Sequence, residues 1–248
     1  MKRGEYDVMA RAEDRLWWYR GLRRLVVGAL VRRFPAGARP RILDVGCGTG
    51  GTFRAIRRAL PGVSYVGFDL EPKALEHCRA RGVRSLVRAS ASAVPVRARS
   101  ADAVVCLDVL CYRGMDPAAA LARFFEILKP GGLLLVNLPA FESLSGEHDL
   151  AVGIARRFRA PELRGLCERA GFEIARLTYW NWTLFLPLLA WRRLTRGAGE
   201  TRATSDTARS PGWLNPPLTA LVLLEVGLTR LLSWPWGSSV FVVARRPA

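Results

Sequence analysis

Residues 41–56 read RILDVGCGTGGTFRAI, a short apolar run that breaks into glycines at positions 46, 48, 50 and 51 before a helix-forming segment. Such a stretch is a strand turning sharply into a helix, since glycine lets the backbone turn tightly and lets a ligand approach it closely. Gly46, Gly48 and Gly51 satisfy the dinucleotide spacing G-x-G-x-x-G, while Asp44 through Gly50 satisfy D-x-G-x-G-x-G. The glycines do not choose between the two, but Asp44 does. It ends the strand two residues before Gly46, where a carboxylate would repel a pyrophosphate and attract a ligand that carries positive charge.

Outward from this loop the hydrophobic period alternates. "VSYVGFD", "RSLVRAS", "ADAVVCLDVL" and "LLLVNLP" read as strands, separated by helices at "TFRAIRRAL", "PKALEHCRARG" and "DPAAALARFFEILKPGG", the last stopped by Pro130 and Gly131. "APELRGLCERAG" adds a helix and "FEIARLTYW" a strand, and "SSVFVVARR" is the final strand. The pattern predicts an α/β fold with a Rossmann-like, mostly parallel sheet. Residues 5–34 read as helical, ended by Pro35 and Gly37, so that residues 1–37 form an N-terminal helical cap. The core is expected over 38–180, a helical insertion over 181–236 and the last core strand over 237–248. Within the insertion, "TRGAGETRATSDTARSPG" looks like a mobile loop, and the two apolar runs beside it are too short or interrupted to span a bilayer, the second carrying Glu225 and Arg230. They read as amphipathic helices packed over the sheet end, as a lid on an apolar substrate, or as a contact with a membrane surface or a second subunit.

S-adenosylmethionine (SAM) carries a sulfonium and an ammonium, and an acid at Asp44 suits both. Asp69 ends the next strand and can take both ribose hydroxyls. With these residues the chain resembles the class I SAM-dependent methyltransferases of small-molecule, methyltransferase type 11/12-like kind. "ILDVGCGTG" resembles their first motif, "YVGFDLEP" the ribose-binding strand end, "VCLDVL" the fourth-strand motif and "ILKPGGLLLVNLP" the fifth-strand signature. The resemblance implies a seven-stranded sheet with an antiparallel last strand, the insertion lying between strands six and seven. It implies SAM as cofactor, held by Asp44, Gly46, Cys47, Gly48, Gly50, Asp69, Leu70, Ser90, Ala91 and Leu107. Ser90 stands where relatives often have an acid for the adenine amino group, which predicts weaker SAM binding. Tyr19 or Arg20 is a candidate to close over SAM, Arg20 pairing its carboxylate. The flanking segments "WWYRGLRRL", "LPAFESLSGEHDLAVGIARRF" and "GSSVFVVARRP" resemble methyltransferases that act in polysaccharide, lipid-linked sugar or secondary-metabolite synthesis; there Ile154 replaces a histidine frequent in relatives.

Methyl transfer is an in-line displacement that asks mainly for alignment and a dry site. A hydroxyl acceptor also needs a base, and the chain has two histidines. His148, in the loop after strand five beside Glu147 and Asp149, is the catalytic candidate or a substrate-positioning residue, whereas His77 reads as a packing residue. Asp108, just past strand four, is placed to hold the ammonium, to orient the acceptor, or to cap the next segment. Arg156 and Arg157 read as a solvated pair or as a clamp for an acceptor anion, and Trp17 and Trp18 as packing against the sheet.

With 50% hydrophobic residues in 248, the chain can bury a full core. Its 38 Lys and Arg against 21 Asp and Glu give +17, a charge that favours anionic partners. The arginines are spread along the chain, however, and "LDVL" is not the tetrapeptide of base-amino methylases, so nucleic acid is not the expected partner. The opening residues lack the apolar segment of a secretory leader, which predicts a cytoplasmic protein, with peripheral membrane contact through the insertion. Five cysteines without a C-x-x-C pair predict buried free thiols and no metal site. The expected activity is O-methylation of a small acceptor, apolar or lipid-linked. A SAM-binding protein of the same fold that cyclises its substrate or acts as a scaffold is the other reading, and the acceptor, the methylated atom and the oligomeric state are not fixed by these residues.

Overall fold

The computed structural model describes residues 3–195 and 212–248, with only the backbone for Arg3, Glu147, His148, Ala151 and Thr195. The stretch expected to be a mobile loop falls almost wholly outside the described residues. Seven strands form one sheet in the order β3-β2-β1-β4-β5-β7-β6. They are β1 (Arg41–Val45), β2 (Ser64–Asp69), β3 (Leu86–Arg88), β4 (Ala101–Leu107), β5 (Leu128–Pro139), β6 (Glu173–Trp180) and β7 (Ser239–Arg245). β1 through β5 pair in parallel, while β7 is antiparallel to both β5 and β6, as expected.

The sheet is covered on both faces, which is why β1 and β4 are mostly apolar instead of alternating, with Asp44 the buried acid of β1. One core packs Leu43, Val104, Val136 and Val242 against α5 (Pro117–Ile127) and α7 (Ala160–Arg169). The other packs Ile42, Val105, Leu135 and Phe241 against α2 (Trp17–Arg33), α3 (Gly51–Ala59), α4 (Pro72–Ala80) and α9 (Asn215–Thr229). α9 lies on α2, and Gly21 allows the approach: a Cβ there would run into Val222 and Trp180.

Several boundaries differ from expectation. The N-terminal segment is two helices, α1 (Arg3–Ala12) and α2, separated at residues 13–16, because Glu13 leaves the helix to bind the glycine loop. Pro130 and Gly131 do not stop α5, which ends at Ile127; they lie inside β5, whose opening residues continue the sheet beside β4. β3 shortens to three residues at the sheet edge. α6 (Glu147–Val152) forms in the segment after β5.

Residues 181–236 leave the sheet after β6 and return before β7, and the two ends meet. Asn181 donates from Nδ2 to Ser238 Oγ at 2.6 Å and accepts the Ser238 amide at 3.3 Å, while Trp180 registers with Ser239. Within this insertion stand α8 (Phe185–Thr195) and α9. Among the described residues no helix is long and apolar enough to cross a membrane.

Candidate functional site

Between β1 and β4 the strand order reverses, and in open α/β sheets a ligand crevice forms at that point, outside the carboxyl ends of the strands. A cavity of about 1240 Å³ lies there, more than the roughly 300–1,000 Å³ of a site for a single ligand. Its floor is the loop after β1. Gly46 has φ +81° and a Cβ on it would strike Val109, so the position demands glycine; Gly48 has φ +53°, a left-handed backbone that favours glycine, and faces the Met9 side chain from α1. The loop is pinned by its amides, those of Gly46 and Cys47 donating to Phe68 O at 2.7 and 2.9 Å. Glu13 secures the far side, accepting from Thr49 Oγ1 and from the Gly51 amide and pairing with Arg81 at 2.9 Å.

Four acids surround this floor. Asp69 Oδ2 accepts the Gly48 amide and Oδ1 the Glu71 amide, each at 3.0 Å, which fixes the carboxylate at the cavity rim. Asp44 is 1% exposed and accepts the Tyr65 hydroxyl at 2.5 Å; burial pushes its carboxyl up to about 7. Asp108, on the cavity wall past β4, holds a left-handed backbone at φ +56° and accepts both contacts of Asn137 Nδ2, at 2.9 and 3.1 Å. Asn137 Oδ1 in turn accepts Trp180 Nε1 at 2.7 Å, so the amide is oriented and Asp108 with it. Burial raises the Asp108 carboxyl to about 7, against the opposing pull of the Asn137 hydrogen bond and the Arg157 charge. Glu13 is likewise raised by burial. A single cation faces the glycine loop from α2: Arg23 lines the cavity, its Nη1 buried without a partner, and burial lowers its proton affinity.

Residues 43–136 match the family model for a methyltransferase domain. A Mycolicibacterium smegmatis protein, an inferred SAM-dependent methyltransferase, is 30% identical over 174 residues, or 69% of this chain and 65% of that one. Residues 43–136 thus form a methyltransferase domain, and the chain is similar to the SAM-dependent methyltransferases. It spans a little under two thirds of that relative's length. Among solved structures, a Haloferax volcanii protein in complex with the Trm112 methyltransferase activator is 21% identical, covers 98% of both chains and has a TM-score of 0.62. The [4+2]-cyclase SpnF is 20% identical, covers 90% of this chain and 80% of its own, and has a TM-score of 0.58. Likenesses at this identity are likenesses of fold, which hosts more than one chemistry.

The donor set of the cavity fits SAM. The buried Asp44 carboxyl, with its raised proton affinity, complements a cation, and Arg23 Nη1, buried without a hydrogen-bond partner, complements a carboxylate. Asp44, Gly46, Cys47, Gly48, Asp69, Leu70, Ser90, Ala91, Leu107, Asp108 and Tyr19 all line the cavity. Gly50 and Arg20 do not. Gly50 sits behind the loop as the left-handed residue preceding α3, close to Cys78. Arg20 is exposed, because Leu16, Tyr19 and Arg23, at helical spacing, form the inner stripe of α2. Cys47 and Cys78 are buried, as are the other three cysteines, and all are free thiols. His77 packs against Asp7 at 2.8 Å, away from the cavity.

The side chain of His148 lies outside the described residues, although its neighbours on α6, Asp149, Leu150 and Val152, line the cavity. Arg157 is buried, not solvated: Nε and Nη2 bind Asp149 at 2.8 and 2.7 Å and Nη1 binds Ala140 O at 3.1 Å. Arg156 is the exposed member, paired with Glu162 and set over the Phe158 ring. Tyr6, Met9, Glu13, Arg23 and Asn137 escaped the sequence reading. Asn137 alone carried a signal, as the one polar residue inside "LLLVNLP".

Proposed function

We propose that the protein transfers the methyl group of SAM to a hydroxyl of a small, largely apolar acceptor. The observation that carries this reading is Asp108, a half-buried residue whose carboxyl is raised by burial to about 7, on a cavity that Leu150, Leu184, Leu188, Trp191 and Leu218 also line. SAM supplies a methyl carbon already activated by its sulfonium. In this reading Asp69 holds the ribose hydroxyls, Ser90 and Ala91 the adenine edge, Asp44 the positive end and Arg23 the carboxylate, while α1 and Tyr19 exclude water from above. Asp108, ionised, takes the hydroxyl proton as the acceptor oxygen attacks; His148 is the second candidate for that proton. The buried Arg157–Asp149 pair holds α6 against the end of β5 and so shapes the acceptor wall. The volume beyond one ligand accommodates cofactor and acceptor side by side.

The reading is tested by incubating the protein with methyl-labelled SAM and fractionated cell extract. Label in an apolar metabolite or lipid fraction supports it. SAM binding without transfer, in an extract that contains the acceptor, returns the chain to a SAM-binding enzyme or scaffold that does not methylate.

A further inference from the structure

Helix α9 is built inside out. Its buried face carries Thr219, Glu225 and Thr229 beside Val222 and Val226, while Leu221, Leu224 and Leu228 are exposed. The chain then continues through Leu231, 81% exposed, and Leu232 to exposed Trp236. Between residues 212 and 236 the sole acid is Glu225, which is turned inward and accepts the Thr183 amide and hydroxyl. An outer helix face of this composition is one that a partner covers.

At the C-terminal end of that face stand arginines. Arg24 and Arg32 lie one helical turn either side of Gly28 on α2, and Arg230 lies across Gly28, where a Cβ would come within 2.9 Å of its Nη2. Arg176 reaches over from β6 to the carbonyls of Thr229, Arg230 and Leu232. Burial, and then the charges of Arg24 and Arg32, lower the proton affinity of Arg230, and Arg32 acts likewise on Arg176. Among the described residues no acid pairs with any of the four.

We infer that the outer leucines of α9, with Leu231 and Leu232 just after it, and the Arg24, Arg32 and Arg230 cluster form a docking face for an anionic lipid bilayer. The leucines enter the acyl boundary while the guanidinium groups pair with headgroup phosphates. A second copy of the chain is the poorer occupant, since a two-fold contact through this patch sets the arginine cluster against itself. The net charge of +17 adds long-range attraction to the same surface. Leu186, Trp191 and Leu194 on α8 are exposed as well, and Pro187 and Leu188 of that helix line the cavity, so apolar surface also stands at the cavity mouth. The inference goes beyond methyl transfer and does not depend on it.

The test is flotation of the full-length protein with phosphatidylcholine vesicles, with and without phosphatidylglycerol, over a range of salt. Binding is expected only with phosphatidylglycerol and is expected to weaken as salt rises. Arg24→Ala and Arg32→Ala should each weaken it about fivefold. Leu231→Glu with Leu232→Glu should abolish it, with circular dichroism and SAM affinity unchanged. The inference is overturned if the native protein ignores phosphatidylglycerol vesicles. It is also overturned if the leucine variant binds as well as native, which would leave a site for soluble polyanions, or if sedimentation shows a dimer that the leucine variant dissociates.

Discussion

Cofactor affinity should rise with pH through Asp44. In the protein without ligand, burial raises this carboxyl from 3.8 to about 7, so ionising it in place costs about 4 kcal/mol more than in water. The sign follows from the direction of the shift. A raised carboxyl stabilises the fold fully below the unfolded value of 3.8, and that stability is lost as pH rises through about 7. SAM reverses the balance, because its positive end complements only the ionised form. With a pKa of about 7, that form makes up roughly 9% of the protein at about pH 6 and 76% at about pH 7.5, so the dissociation constant should fall about eightfold over this interval. The interval ends below the roughly 7.7–8.0 at which an α-amino group begins to lose its own charge. The assay is calorimetric titration of SAM in two buffers of different ionisation enthalpy, which reports affinity and proton release together. Asp44→Asn should bind with no pH dependence and no proton release at about pH 6. A native affinity that is flat over the interval, or an Asp44→Asn variant that keeps the slope, would refute the placement of the cofactor's positive end.

Turnover should report Asp108 independently of affinity: Asp108→Asn is expected to lower kcat by roughly 10²–10⁴ with the SAM dissociation constant unchanged, and to erase a rise in native activity centred near pH 7. If the variant keeps that profile while His148→Ala loses it, the proton goes to His148. Gly46→Ala forces a side chain into a backbone at φ +81° and onto Val109, and should cost about 1–3 kcal/mol by thermal melting, part of it regained in the double variant with Val109→Ala. Asp149→Ala should lower stability by about 3–5 kcal/mol because it strands the buried Arg157 guanidinium, and a double-mutant cycle with Arg157→Met should show most of that loss vanish.

The order of strands and helices was legible because both sheet faces are covered, so the central strands read as short, mostly apolar runs such as "RILDV" and "ADAVVCL". The glycine loop was legible because its left-handed backbone favours glycine, and Asp44 and Asp69 because their charge and position at the strand ends suit a cationic, ribose-bearing ligand. What failed depends on contacts distant in sequence. Nothing around Glu13 shows that it caps Gly51 from 38 positions away, and so the break between α1 and α2 was invisible. Arg23 was passed over for Arg20 because both lie in one cationic run, and only the rotation of α2 on the sheet separates the inward residue from the outward one. Arg157 read as surface because its partner Asp149 comes from α6, a helix that the sequence pattern did not declare.

The neck at Asn181 and Ser238 makes the segment between them a cassette. Both ends are fixed by the same two residues and by the Trp180 to Ser239 register, so closure at the neck does not set how much chain is looped out, and the inward face of α9, with Val222 and Val226, is the part the sheet core requires. Doubling such a loop costs only about 0.6 kcal/mol of closure entropy. Acceptor choice can therefore drift through the parts of the cassette outside the buried face of α9, while the strands that hold the cofactor loop keep their positions.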